Sequence, residues 1–233
     1  FEALLHAMST MATGGFSTRA TSIASFDSPL VEWIIILFMY LAGVNFALHY
    51  AALGGRFNVF VRNGEWRVYT VALVGCSLVI TALLLPEMSG DLETALRKAS
   101  FQVLALGTGT GFGTADYDTW PVLAKVILMG LMIMGGSAGS TAGGMKVSRV
   151  MVLIKCAVIE LAHTVRPHTV RVVKIGRSAV RDDVLKQIMA FAVLFFCTIG
   201  VCTLWLAALD VELATAFAAA LTCVANVGPG FAE

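Results

Sequence analysis

Apolar residues run through this chain in long blocks, and the polar positions between them mark out its elements. Residues 30–53, 68–85 and 184–209 are each close to or above the roughly 20 apolar residues that cross a bilayer as a helix, and Pro86 ends the second. Three further apolar helical stretches, 1–12, 92–106 and 211–225, are too short to cross. Asp91 and Asp210 stand where they would cap the second and third of these. Residues 121–134 begin another long helix, which is then interrupted. The run Gly135-Gly136-Ser137-Ala138-Gly139-Ser140-Thr141-Ala142-Gly143-Gly144, followed by Met145 and Lys146, has five glycines in ten residues. Each glycine costs a helix about 1 kcal/mol against alanine, so a regular helix is not expected here. Close helix packing through small residues is the alternative, but it needs them only at helical spacing, and all ten of these are small. A flexible intramembrane loop with little side-chain packing is the expectation for 135–146.

Each short helix runs into a glycine-dense, nearly uncharged loop. The three are Thr13-Gly14-Gly15-Phe16, Gly109-Thr110-Gly111-Phe112 and Asn226-Val227-Gly228-Pro229. Superimposing Gly15, Gly111 and Gly228 also aligns Ala3 with Ala99 and Ala216, and Met8 with Leu104 and Leu221. The intervals, 96 and 117 residues, are too long for a solenoid and suit duplicated modules of two spanning helices each. Lipid cannot satisfy free backbone groups, so such a loop persists at membrane depth only inside protein or beside a watery path. Glycines admit positive φ, which turns successive carbonyls to one side, where they can replace the water shell of a cation. The helix leading into each loop adds the negative end of its dipole, about half an elementary charge.

On these loops the chain resembles the Trk/Ktr/HKT superfamily of potassium transporters, most of all its TrkH pore-forming subunits. The resemblance implies an all-α integral membrane protein of repeated helix–pore loop–helix units, a pseudo-fourfold relative of potassium channels, of which this chain holds the C-terminal half or so. Residues 1–53 then form a partial second unit, 54–67 a cytoplasmic loop, 68–161 a third unit with a gating loop at 135–146, 162–183 a cytoplasmic linker, and 184–233 a partial fourth unit. It further implies potassium as substrate, bound by the backbone carbonyls of Thr13, Gly14, Gly15 and Phe16, of Gly109, Thr110, Gly111 and Phe112, and of Asn226, Val227, Gly228 and Pro229. Gly109 and Asn226 stand where strict potassium channels carry threonine, and Pro229 where they carry an aromatic, departures that suit a less rigidly held filter. A homodimer and a cytoplasmic nucleotide-binding, TrkA-like regulatory subunit complete what it implies, with sodium or proton coupling left open.

Composition agrees with the membrane reading. Hydrophobic residues make up 58% and charged residues 13%, against about 25% charged in soluble domains, and the mean hydropathy is +0.84. The net charge of +1 carries no footprint for nucleic acid. Of the sixteen Lys and Arg residues, three lie in 54–67 and nine in 146–186. The positive-inside rule makes those stretches cytoplasmic and turns the three loops outward, and the resemblance implies the cytoplasmic (inner) membrane. The five cysteines, Cys76, Cys156, Cys197, Cys202 and Cys223, show no paired spacing that would suit zinc or a disulfide framework. Helical periodicity covers 147–161, with a break expected at Pro167.

Other chemistry finds little support. The glycines from Gly107 to Phe112 follow a membrane helix rather than a strand, which disfavours a dinucleotide fingerprint. Met145 breaks the core of any phosphate loop ending at Lys146. No triad, paired buried carboxylates or cofactor motif supports an enzyme. Asn45 and His49, inside the first span, are expected to serve a helix end or a helix–helix hydrogen bond rather than an ion. Arg97 and Lys98 are expected to be solvated or paired with acids. A secondary transporter of another cation or small solute, built from broken helices, is the alternative function, and a structural scaffold is a third.

Overall fold

The computed structural model describes residues 1–86, 88, 90–165, 174–175 and 178–230. The expected break at Pro167 and residues 166–173 and 176–177 of the linker 162–183 lie outside them. Ten α-helices are described: α1 Glu2–Met11, α2 Pro29–Ala42, α3 Phe46–Leu53, α4 Asn58–Arg62, α5 Gly64–Leu84, α6 Leu92–Gly107, α7 Val122–Met134, α8 Val147–Val165, α9 Asp182–Ala207 and α10 Leu213–Val224, with short 3-10 turns at Ser22–Phe26 and Tyr117–Thr119. A two-residue antiparallel hairpin, β1 Lys174–Ile175 with β2 Ser178–Ala179, is the one departure from helix in regular structure among the described residues.

Two of these helices, α5 and α9, are long and apolar enough to cross a membrane, and the bent pair α2 and α3 makes a third candidate. Their outward faces carry Ile34, Leu37 and Phe38, Val71, Val74 and Leu78, and Val193, Leu194, Phe196, Leu204 and Trp205, all exposed. Large apolar side chains spread along whole spans suit lipid, where they lose nothing by exposure.

The short helix α6 is the centre. Every residue from Ala99 to Gly107 is buried, because α2, α5 and α7 all pack around it. A helix apolar on all sides is stable only when enclosed in this way. Asp91 caps it as expected: its Oδ1 accepts from the Thr94 N–H at 3.4 Å and its Oδ2 from the Thr94 hydroxyl at 2.6 Å. Those bonds, the hydroxyl's first, hold the Asp91 carboxyl below its ordinary range.

Two expectations about elements need correction. The span expected at 30–53 is broken: α2 ends at Ala42, α3 begins at Phe46, and the two are bent by 98°. The Asn45 side chain caps α3 by accepting from the Ala47 N–H at 2.8 Å, and His49 Nε2 lies 3.0 Å from the Leu41 carbonyl across the bend. Both polar groups thus serve a helix end. Asp210 is the second correction. It sits in the turn after α9 at φ 63°, and the residue at the N-cap of α10 is Glu212, without a side-chain capping bond. The reversal from α9 into α10 needs a left-handed residue, and aspartate is among the few side chains that tolerate it.

Candidate functional site

The three glycine loops are built alike. Helices α1, α6 and α10 end on Ala12, Thr108 and Ala225, all in the right-handed region with ψ between −11° and −4°. The next residue is left-handed in each: Thr13 at φ 51°, Gly109 at 73° and Asn226 at 56°. One residue intervenes, and then Gly15, Gly111 and Gly228 are left-handed again, at 67°, 77° and 100°. The first reversal closes a Schellman-type helix end. The Thr13 N–H donates to the Thr10 carbonyl and Gly14 to Ser9, as Asn226 does to Cys223 and Val227 to Thr222. In the middle loop Gly109 donates to Leu106, but it is Gly111 that reaches Ala105. Threonine is β-branched, so a left-handed Thr13 is strained; its hydroxyl is held by the Ala12 and Thr141 carbonyls at 2.7 and 2.9 Å.

The loops also meet one another, in chain order. A Cβ on Gly15 would stand 2.0 Å from the Thr110 carbonyl oxygen, and one on Gly111 would stand 2.3 Å from that of Val227. The corresponding position on Gly228 faces open space. The fourth members of the loops differ in setting: Phe112 is fully buried, Phe16 is 82% exposed, and Pro229 is half-buried. Phe112 packs beside the His6 ring, whose Nε2 is 2.9 Å from the Ser17 hydroxyl. The Tyr117 hydroxyl donates to the Gly230 carbonyl at 3.1 Å, joining the second loop to the third. Burial, followed by the charges of Asp118 and Asp116, pushes the Tyr117 phenol up to about 12, so it stays a donor at neutral pH.

Residues 135–146 are non-helical, as expected, but they are not sparsely packed, and that expectation is corrected. Cβ atoms on Gly135 and Gly143 would each stand 2.2 Å from a backbone oxygen, of Gly143 and Ala225 respectively, and one on Gly136 would stand 2.4 Å from the Ala142 Cβ. The residues are small at every position because backbone lies on backbone. The segment reaches the end of each short helix. Gly143 N–H donates to Thr108 at 3.2 Å, Gly144 N–H to Ala225 at 2.9 Å, and the Thr141 hydroxyl to Met11 at 3.0 Å. Ser137 N–H donates to the Gly43 carbonyl at 2.9 Å, and the Gly139 carbonyl accepts from the Phe46 N–H at 3.0 Å, so Gly139 and its neighbours dock in the α2–α3 bend. Lys146, left-handed at φ 78°, returns its ammonium to the Ser140 and Ala142 carbonyls.

Arg97 is paired rather than solvated. Buried in the first half of α6, it reaches Glu32 of α2 at 2.5 Å and Glu93 at 3.0 Å. Trp33 Nε1 donates to Glu93 as well, at 3.1 Å. What the sequence reading missed was the α2–α3 bend and a carboxylate, Glu65, that touches the gate-like segment. A signal for the bend existed: Gly43 follows Gly15 by 28 residues, the same interval that separates Gly139 from Gly111.

Comparison with known proteins places this geometry. A family model described as TrkH, a cation transport protein, matches residues 1–232. The Trk system potassium uptake protein TrkH of Salmonella typhimurium is 34% identical over 232 residues, 99% of this chain and 48% of that protein. Its namesake from Vibrio parahaemolyticus is 35% identical over 237 residues, covering 100% and 49%. The chain therefore spans about half the length of the curated relatives it matches. The crystal structure of the potassium transporter TrkH from Vibrio parahaemolyticus superposes with a TM-score of 0.93 at 34% identity, over 100% of this chain and 50% of that one. The chain is an all-α integral membrane protein and belongs to the TrkH family of cation transport proteins.

Proposed function

We propose that this chain carries three of the filter loops and the gate of a protein that takes up potassium across the cytoplasmic membrane. The observation that carries the reading is the paired left-handed residues in each loop, with the loops in backbone contact. Alternating backbone hand turns successive carbonyls toward one side, and carbonyls so arranged replace the hydration shell of a cation. The ion's ligands in this reading are the carbonyls of Thr13 to Phe16, Gly109 to Phe112 and Asn226 to Pro229. Potassium rather than another cation follows from what the relatives are named for. The C-terminal ends of α1, α6 and α10 add favourable negative potential beneath the filter.

Residues 135–146 act as the gate in this reading. They donate hydrogen bonds to the same three helix ends, so a chain seated there competes with a hydrated cation for those carbonyls. The filter loops face outward and the basic stretches 54–67 and 146–186 face the cytoplasm. A second copy of the protein and a cytoplasmic nucleotide-binding regulatory subunit are its expected partners. Rubidium uptake into liposomes containing the complete polypeptide tests the function: uptake blocked by potassium and not by choline is expected, and no uptake at all would refute it.

A further inference from the structure

The cytoplasmic stretch 54–67 touches the gate segment through a side chain. Glu65 stands in the first turn of α5, and its Oε1 accepts the Ala138 N–H at 2.6 Å. Among the described residues it is the one carboxylate bonded to 135–146. Its position is set independently of that segment. The Asn63 side chain caps α5 by accepting from the Trp66 N–H at 2.9 Å, and Glu65 is fixed two residues inside that cap. An aromatic row, His49 to Phe60 at 5.8 Å and Phe60 to Trp66 at 5.7 Å, ties α3, α4 and the start of α5 into one corner. The corner carries Arg56, Arg62 and Arg67, and Arg62 and Arg67 are exposed where a soluble partner could reach them.

The contact differs in kind from the others that hold the gate. Ser137 and Gly139 bond to backbone groups at Gly43 and Phe46, whereas Ala138 bonds to a charged side chain. A hydrogen bond to an ionised group is about twice as strong as a neutral one.

We propose that Glu65 is a latch: it holds the gate segment shut from the cytoplasmic corner, and displacement of that corner releases it. The proposal rests on the reading of 135–146 as a gate and adds the residue through which a cytoplasmic signal reaches it. Glu65 is a positioning residue and touches no ion.

The test uses the complete polypeptide in liposomes without added soluble protein, comparing Glu65→Gln, Glu65→Ala, Glu65→Asp and a deletion of residues 137–141. Loss of one charge-assisted bond should raise basal rubidium flux about tenfold in Glu65→Gln and Glu65→Ala, with the rubidium-to-sodium ratio kept. Glu65→Asp should recover part of the closure. A merely structural role would lower flux or blur selectivity instead. If the deletion raises flux while both neutralising variants stay at the parent rate, the latch is wrong and the gate stands. If the deletion also leaves flux unchanged, the gate reading falls and the latch with it. A second measurement is independent of flux: Ser140→Cys, in a chain lacking its native cysteines, should react faster with an impermeant thiol reagent from the inner side once Glu65→Gln is added. An unchanged rate overturns the latch.

Discussion

Gly111 shows most directly what a single residue contributes. Its φ of 77° lies where side chains are strained, and an added Cβ would run into the Val227 carbonyl and the Pro229 ring. Gly130, inside α7, has ordinary helical dihedrals and open space around the same position. Gly111→Ala should therefore cut rubidium flux or potassium-over-sodium preference at least tenfold. Gly130→Ala should leave both alone and gain up to about 1 kcal/mol in helix stability. Equal losses at the two sites would remove Gly111 from the filter. Arg97 is informative for the opposite reason, because it balances charge out of water. With its side chain 10% exposed, and Glu32 equally so, Arg97→Leu strands a buried carboxylate at a cost of about 3 kcal/mol. The detergent-solubilised protein should melt well below the parent, and Glu32→Leu added to Arg97→Leu should recover part of the loss. A double variant as unstable as the single would mean that packing, not charge, is what Arg97 supplies.

At the scale of elements, both broken inner helices belong to one arrangement. The α2–α3 bend presents the Gly43 carbonyl and Phe46 N–H, and residues 135–146 supply the Ser137 N–H and Gly139 carbonyl that meet them. Neither break would be stable alone at membrane depth, since each leaves backbone groups that lipid cannot satisfy. Residues 135–146 therefore have defined partners, and under the proposed gating role opening must break identifiable bonds rather than rearrange a slack coil. Removing residues 137–141 deletes the Thr141 hydroxyl bonds to Met11 and the contacts with the bend. Rubidium flux should rise several-fold with selectivity unchanged. Altered potassium-over-sodium preference at constant flux would instead assign the segment to the filter.

For the molecule as a whole, topology is the first thing to measure. In the proposed topology the three glycine loops and the acids Asp116 and Asp118 lie at one end of the spans, and Arg56, Arg62 and Arg67 lie at the other. Asp118→Cys in a cysteine-free chain should be labelled by an impermeant reagent in intact cells, while a cysteine at Arg62 should be protected until the membrane is opened. The reverse pattern would invert the assignment. The family model and the superposition on a TrkH structure cover the whole chain, so any revision of its orientation would apply to the shared fold.

The glycine loops were legible in the sequence because their requirements are local. A left-handed backbone after a helix end favours glycine or asparagine, as at Gly109 and Asn226 though not at Thr13, and three glycine-rich loops with aligned helices before them can be read without knowing what they touch. The spans were legible for the same kind of reason, since a bilayer sets length and polarity along the chain. The non-helical character of 135–144 also followed from glycine propensity alone. Its dense packing did not, because smallness at every position suits both a slack loop and a segment pressed between backbones, and only the neighbours Thr108, Gly43 and Ala225 distinguish the two. The bend after Ala42 was hidden for a related reason: Gly43 and Asn45 are tolerable in a continuous helix, and they break it here because the gate segment satisfies the groups they release. Asp210 was the natural cap by residue type, but the turn from α9 into α10 takes it as a left-handed residue instead. Glu65 had nothing to mark it among the charges around the start of α5, since its partner is Ala138, 73 residues away in the chain. Local backbone preference and membrane thickness act along the sequence; closure of hydrogen bonds between distant segments exists only once the chain is folded.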